Sequence, residues 1–360
     1  MLNKKFKLLV IANKERFIHL EKFLEELNKK GVETKLIYDL DYVNKFLELN
    51  FMKKSSRKKE FEKILKTFNP NVILLDRISR IAENIVDKKI PLWILMRGNY
   101  WEEAMWAKKT IYKSKKQKIS VERNEKLADY CFKNSKLILP ISKYLEKEVR
   151  KRYPGKDTVV FPADGRDPYE WENSINKKLK HPCVGLIQGL NIWGKTRELL
   201  ILDKVMKELP EITFYLAGDG IYAEKIISEL TNNKNFVWLK NLDYPYEVKK
   251  FLSEIDIFLL LSGLEGLGQI IIESLLMKKP TIASNIGGIP ELIIDNETGL
   301  LVENGNNKMI VNKISKFLDE PEFARKITNN GYELMKKEFS WIAIANKFEV
   351  IIEKFGRYEK

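Results

Sequence analysis

Apolar residues fall along this chain in two alternating rhythms. Short, largely apolar runs at 6–12, 34–38, 71–75, 91–96, 137–141 and 159–161 read as strands, the first of them buried. Between them apolar positions recur every three to four residues, the spacing of a helix with one buried face. The segment 17–30 shows it first, with Phe17, Leu20, Phe23, Leu24 and Leu27 on one side and Gly31 as the stop. Ser142 reads as the N-cap of the helix after 137–141. A second alternating set has strands at 184–188, 212–217, 236–239, 255–261, 281–284 and 300–302. The tail 339–355 reads as one amphipathic helix carrying Trp341, Ile344, Phe348, Ile351 and Ile352.

Strand–helix alternation of this kind predicts parallel, doubly wound sheets. A polar stretch at 164–180 with a lysine run separates the two sets. The predicted fold class is therefore α/β, with two facing Rossmann-like domains. Residues 1–170 are expected to form the first, 171–338 the second, and 339–360 a helix returning to the first. Ligands in such sheets bind beyond the carboxyl ends of the strands.

At 360 residues and 44% hydrophobic, the chain suits two cores better than one. The net charge of +14 favours anionic partners, although most of the lysines read as solvated surface. Cys131 and Cys183 form no C-x-x-C pattern, and His19 and His181 have no ligand partner at useful spacing, so no metal is expected. The opening Met1–Lys5 and the apolar run after it read as a first strand rather than a leader, because charged residues follow directly. No stretch reaches the roughly 18 apolar residues of a membrane span.

The chemistry concentrates in Ser262-Gly263-Leu264-Glu265-Gly266-Leu267-Gly268-Gln269-Ile270-Ile271-Ile272-Glu273. A buried strand ends here in a glycine-bearing loop, and a helix is expected to start near Leu267. That arrangement offers backbone N–H groups and a helix dipole to an anion, with Gly266 and Gly268 allowing close approach. Glu273 falls among isoleucines and leucines, where a carboxylate is costly unless paired. Either it binds a ligand hydroxyl, or it pairs with a nearby Lys or Arg and serves packing.

This stretch resembles the retaining glycosyltransferases of the GT-B fold, family 4 in particular, also called glycosyl transferases group 1. The resemblance rests on Glu265 and Glu273 in an E-x7-E spacing, Lys279 to Ser284, Gly287-Gly288-Ile289-Pro290-Glu291, Glu297 to Val302, Gly218-Asp219-Gly220 after a strand, and Phe339-Ser340-Trp341. It is good from Val184 to about Phe355 and weak before residue 140. It implies transfer of a sugar, of hexosyltransferase type, from a nucleotide-sugar donor to a glycan, lipid-linked or small-molecule acceptor. Configuration would be retained and no metal or cofactor required. Glu273 would hold the donor ribose and Glu265 the sugar hydroxyls. Gly266, Leu267, Gly268 and Gln269 would frame the diphosphate. Gly218, Asp219 and Gly220 would lie beside the nucleotide, with Lys240 and Leu242 near the base. Gly189 and Lys195 fall in the G-R-L region, where Lys195 would neutralise the leaving diphosphate. The arginine of that pattern is replaced by Leu190. Arg97, at the end of a first-domain strand, is a candidate to contact the donor sugar or an ion-pair residue. Arg197 is a further candidate cation.

Basic runs with interleaved aromatics, from Lys53 to Lys59 and from Trp106 to Lys118, suit the inner face of an anionic membrane or a plain solvated surface. A cytoplasmic protein with peripheral membrane contact is the expectation, and nucleic acid is not an expected partner. Two rival readings stand beside the transferase. One is a nucleotide-sugar epimerase on the same fold, and the other is a sugar-nucleotide or nucleic-acid binding protein that lost catalysis together with the arginine at position 190.

Overall fold

The computed structural model describes residues 6–42, 51–86, 88–112, 114–171 and 178–356, with the backbone alone at 51–56. The Met1–Lys5 segment, Lys113 and part of the 164–180 linker lie outside the described residues, as do the side chains of Lys53 and Lys54.

Two units emerge. The first comprises Met1–Ala104, Tyr112–Gly165 and Trp341–Lys360; the second comprises Met105–Ile111 and Arg166–Ser340. The chain passes between units at Gly165 and Arg166 rather than at residue 170, because the Arg166 side chain is buried in the second unit.

The first unit holds a parallel sheet of β1 (Lys7–Ala12), β2 (Glu33–Tyr38), β3 (Val72–Asp76), β4 (Leu92–Met96) and β5 (Leu137–Pro140), in the order β2-β1-β3-β4-β5. Strands β3, β4 and β5 are buried at every position, which is why they read as unbroken apolar runs. The 159–161 strand is not formed. Its backbone donates to Ile138 and Pro140 of β5, but the pairing amounts to an isolated bridge at Thr158. Ser142 caps its helix as expected, accepting from the Leu145 N–H.

The expected tail helix 339–355 is present and unbroken, but it starts at Trp341. One helix, Pro321–Phe339, ends at Phe339 and another, Trp341–Phe355, begins two residues on. Ser340 between them is extended, with φ −65 and ψ 152, and pairs with Arg166. The Trp341–Phe355 helix packs in the first unit against the Phe17–Lys29 helix. There Phe348 meets Phe23, Phe161 and Trp93 at centroid distances of 5.2, 5.0 and 5.9 Å.

The second unit holds β6 (Cys183–Ile187), β7 (Thr213–Ala217), β8 (Phe236–Lys240), β9 (Ile257–Leu260), β10 (Thr281–Ser284) and β11 (Leu300–Val302). All neighbours are parallel, in the order β11-β10-β9-β6-β7-β8. The chain builds outward from β6 through β7 and β8, then returns to the other side of β6 with β9. The two sheet halves wind in opposite directions from the β6–β9 pair. The loops leaving these two strands therefore diverge and leave a crevice at their carboxyl ends. No described helix is long and apolar enough to cross a membrane.

Phe348 is fully buried at the centre of the aromatic cluster. Phe348→Ala is expected to cost about 3–5 kcal/mol, measured by urea unfolding, because the rigid rings around it cannot close the cavity.

Candidate functional site

The β6–β9 crevice contains a cavity of about 390 Å³. From the loop after β6 it is lined by Gln188, Gly189, Asn191, Ile192 and Lys195; from the end of β9 and beyond, by Leu260, Glu265, Gly268, Gln269 and Ile270. Its size is that of an ordinary small-ligand pocket. Five of the expected site residues, Gly189, Lys195, Glu265, Gly268 and Gln269, thus meet on one surface.

Glu265 is held from three sides. Its Oε2 lies 3.2 Å from the Lys195 ammonium, and its Oε1 accepts from the Ser262 hydroxyl at 3.1 Å. Behind it, Gly287 has φ +56, and a Cβ there would come within 2.0 Å of the Glu265 carbonyl oxygen. Gly288 backs on the Gly266 carbonyl in the same way, at 2.2 Å. The Gly287-Gly288 pair is therefore needed for the loop at 265–267 to seat, with Leu267 buried beneath it. Lys195 is fixed through its own backbone, whose carbonyl accepts the Gly263 N–H at 3.3 Å.

The helix after this loop starts later than expected. It spans Ile270–Leu276, because Gly268 takes φ +83 and breaks helical continuity. Glu273 consequently lies in the first turn and not the second. Its carboxylate is buried and does not line the cavity. Oε1 accepts from Arg166 Nε at 2.8 Å, from Arg166 Nη2 at 2.6 Å and from the Tyr244 hydroxyl at 3.0 Å. Sequence reasoning missed both partners. Arg166 stood in what read as a linker, and the only signal was that a carboxylate among isoleucines needs a cation from somewhere.

Gly218, Asp219 and Gly220 form a turn pressed against the loop after β6. Gly218 has φ +140, and a Cβ there would stand 1.9 Å from the Gln188 carbonyl oxygen; Gly220 has φ +155 and abuts the Leu190 carbonyl. The Asp219 carbonyl accepts the Leu190 N–H at 2.9 Å. Lys240, itself at φ +60, accepts the Gly218 N–H at 2.6 Å, which ties the start of the 240–242 segment to this turn. Leu242 is half-buried, and none of these residues lines the cavity.

Leu190 is completely buried in the apolar core of the second unit, among Val184, Leu186 and Leu216. Its side chain therefore fills a core position and does not face the cavity. Arg197 is also committed elsewhere, with its guanidinium 4.9 Å from the Trp106 ring centroid. Trp106 packs against Gly194, so this aromatic residue of the basic run is spent on packing.

Arg97 lies in the first unit and is nearly inaccessible. Its Nε and Nη2 bind both oxygens of Asp76, and its Nη1 binds Asp164 at 2.7 Å. Burial alone would lower its pKa, but the charges of Asp164 and Asp76 outweigh burial and raise it. It stays a cation at every working pH.

The fold also gathers a group that spacing did not show. His181 Nδ1, Cys183 Sγ and an Asp256 oxygen lie within 4.8 Å of one another, at the amino ends of β6 and β9. Asp256 accepts the Cys183 N–H at 2.8 Å and lies 2.8 Å from His181 Nδ1. Burial pushes the Cys183 thiol up to about 12, so it is protonated and unreactive near neutrality.

Two outcomes follow. Neither Cys131 nor Cys183, both buried, should react with Ellman's reagent at pH 8 in the folded protein, and both should react in urea. Arg166→Met should cost about 3–5 kcal/mol of stability by stranding the Glu273 carboxylate. The double variant Arg166→Met with Glu273→Leu should be more stable than Arg166→Met, as a chemical-denaturation cycle would read out.

Residues 194–334 match the family model described as Glycosyl transferases group 1. An uncharacterized glycosyltransferase of Methanocaldococcus jannaschii is 28% identical over 213 residues, covering 59% of this chain and 58% of that protein. The capsular polysaccharide biosynthesis glycosyltransferase CapM of Staphylococcus aureus is 29% identical over 250 residues, 64% of each chain. The chain thus spans less than two thirds of these relatives' length. The structure of Anabaena HepE in complex with UDP-glucose matches with a TM-score of 0.70 at 14% identity, over 97% of this chain and 99% of that one. Residues 194–334 are thus similar to the glycosyl transferases group 1, and the chain's two Rossmann-like units have the GT-B fold.

Proposed function

We propose that this protein is a retaining glycosyltransferase that moves a sugar from a nucleotide-sugar donor to a hydroxyl of a glycan, lipid-linked or small-molecule acceptor. The observation that carries the reading is the convergence of Lys195, Glu265, Gly189, Gly268 and Gln269 on one cavity at the β6–β9 crevice. The names of the relatives support sugar transfer, and the HepE complex supports a nucleotide-sugar donor on this fold.

In this reading the Lys195 ammonium faces the diphosphate, with the backbone amides of Gly268 and Gln269. Gly266 and Leu267 hold that loop in place. Glu265 accepts from hydroxyls of the transferred sugar and Glu273 from the ribose diol, its Oε1 oriented by Arg166 and Tyr244. The Gly218–Gly220 turn flanks the nucleotide, and Lys240 and Leu242 lie near the base. For Arg97 the proposal is an ion-pair role in the first unit. The bond from the sugar C1 to the diphosphate breaks while the acceptor oxygen bonds to C1 on the same face. The acceptor proton passes to an oxygen of the leaving diphosphate. The protein's part is orientation and charge stabilisation. Exposed Lys58, Lys59, Lys115, Lys116 and Lys118 are proposed to touch anionic lipid. Absence of co-sedimentation with anionic liposomes at low salt removes that part.

Thermal unfolding against UDP-, GDP-, ADP- and dTDP-sugars tests the core of the reading. A donor at a hundred times its dissociation constant stabilises by about 2.7 kcal/mol, so one base class should raise the melting temperature. Lys195→Ala should weaken that shift, whereas Glu265→Ala should keep most of it and lose transfer. Folded protein that responds to none of the donors overturns the proposal. Binding without transfer or donor hydrolysis favours a protein that has kept the fold and lost the chemistry.

A further inference from the structure

The second sheet turns on the β6–β9 pair, and that pair is short. β6 meets β7 over five registered positions but β9 over only two, Val184 with Ile257 and Gly185 with Phe258. At the amino ends of these strands, the opposite end from the crevice, stand His181, Cys183 and Asp256. His181 Nδ1 lies 3.7 Å from Cys183 Sγ and 2.8 Å from Asp256 Oδ2. Nitrogen, sulfur and oxygen from the starts of two strands thus come within 4.8 Å of one another. A tetrahedral zinc ion, with bonds of about 2.0 Å to nitrogen and about 2.3 Å to sulfur, holds those two atoms about 3.5 Å apart. The His181–Cys183 separation is close to that value. The shorter distance to Asp256 is that of a hydrogen bond, and a small turn of the imidazole opens it. The His181 side chain is 40% exposed and has room for that turn.

The three residues divide access and burial between them. His181 and Asp256 line a cavity of about 580 Å³, while Cys183 is buried behind them. An ion seated among the three is reached past the imidazole and has the thiol on its inner side. Asp256 Oδ2 also accepts the Cys183 N–H at 2.8 Å, which fixes the carboxylate beside the thiol. Its Oδ1 makes no hydrogen bond among the described residues. The lysines of this cavity leave the ligand atoms open. Lys279 Nζ donates to the Ser253 and Ile255 carbonyls at 2.8 and 3.0 Å, and the Lys278 ammonium stands 4.6 Å from the Tyr332 ring centroid. A thiolate and an imidazole in one donor set favour zinc over magnesium or calcium.

We propose that His181, Cys183 and Asp256 bind a zinc ion, with water at the fourth position, and that the ion clips the start of β6 to the start of β9. The thiol proton passes to solvent as the sulfur–zinc bond forms. The site does not depend on what the crevice binds. Spacing hides it, because Asp256 lies 73 residues beyond Cys183.

The test uses the full chain without an affinity tag, stripped with a chelator. Two histidines in the whole sequence leave few competing ligand sets. Zinc should raise the melting temperature, and magnesium and calcium should not. Cobalt(II), a spectroscopic stand-in for zinc, should give a thiolate-to-metal charge-transfer band that is lost in Cys183→Ala. Calorimetry should show the zinc Kd rising in His181→Gln and in Cys183→Ala by more than the roughly 10- to 100-fold that loss of an outer partner costs. Should Cys183→Ala not fold, His181→Gln, at an exposed position, carries the test. A melting temperature that zinc leaves unchanged overturns the proposal. So does a zinc Kd that is the same in the wild type and His181→Gln, or cobalt bound without the charge-transfer band.

Discussion

Parallel strands cannot be joined by tight turns, so each strand of the second sheet must send its chain across a face of the sheet before the next begins. While the chain keeps moving in one direction, every crossover covers the loop end of its neighbour. At β6 that direction reverses. Strands β6 and β9 touch along their bodies, through Val184 with Ile257 and Gly185 with Phe258, but the segments leaving them part company. The crevice is thus a consequence of strand order. What the sequence must add is a set of loops able to approach that crevice closely without filling it.

Glycine meets this requirement in a specific way. The Gly218–Gly220 turn supports the loop that carries Gln188 and Lys195, and Gly287-Gly288 supports the loop that carries Glu265. In each case the glycine's missing Cβ is replaced by a backbone carbonyl of the functional loop. Any side chain there would displace the loop by more than a hydrogen bond tolerates. Residues that touch no ligand in this reading therefore set the positions of those that do.

Much of this was legible in the sequence, and the parts that were not share a cause. Largely apolar runs marked all eleven strands within two residues at each end, because burial on both faces leaves most of them little freedom of composition. Glu265, Gly268 and Gln269 were legible because they lie in one short glycine-bearing segment, whereas Lys195 was legible only through the resemblance to the family's motif. Arg166 was not, since its partner Glu273 lies 107 residues away and nothing local distinguishes this arginine from a solvated one. The start of the Ile270–Leu276 helix was misplaced because composition favoured helix from Leu267, while Gly268 at φ +83 imposes a turn. The missing strand at 159–161 is a case of partial pairing, in which backbone donors reach β5 without a continuous ladder.

The exchange of arginine for leucine at position 190 looks, on sequence alone, like a missing charge in an otherwise intact site. The structure changes what that exchange means. Leu190 fills a core position, and a guanidinium placed there would have to be desolvated among Val184, Leu186 and Leu216 or drag the loop outward. Restoring the arginine would therefore disturb the loop that carries Gln188 and Lys195. With Leu190 in place, Lys195 and Glu265 form a pair of net charge zero in the free protein. In the proposed reading a diphosphate arriving at the cavity competes with Glu265 for the ammonium, and the displaced carboxylate then has reason to seek sugar hydroxyls as donors. On that reading the ion pair that looks like a surface contact in the free chain couples recognition of the two halves of a donor, the anion through Lys195 and the sugar through Glu265.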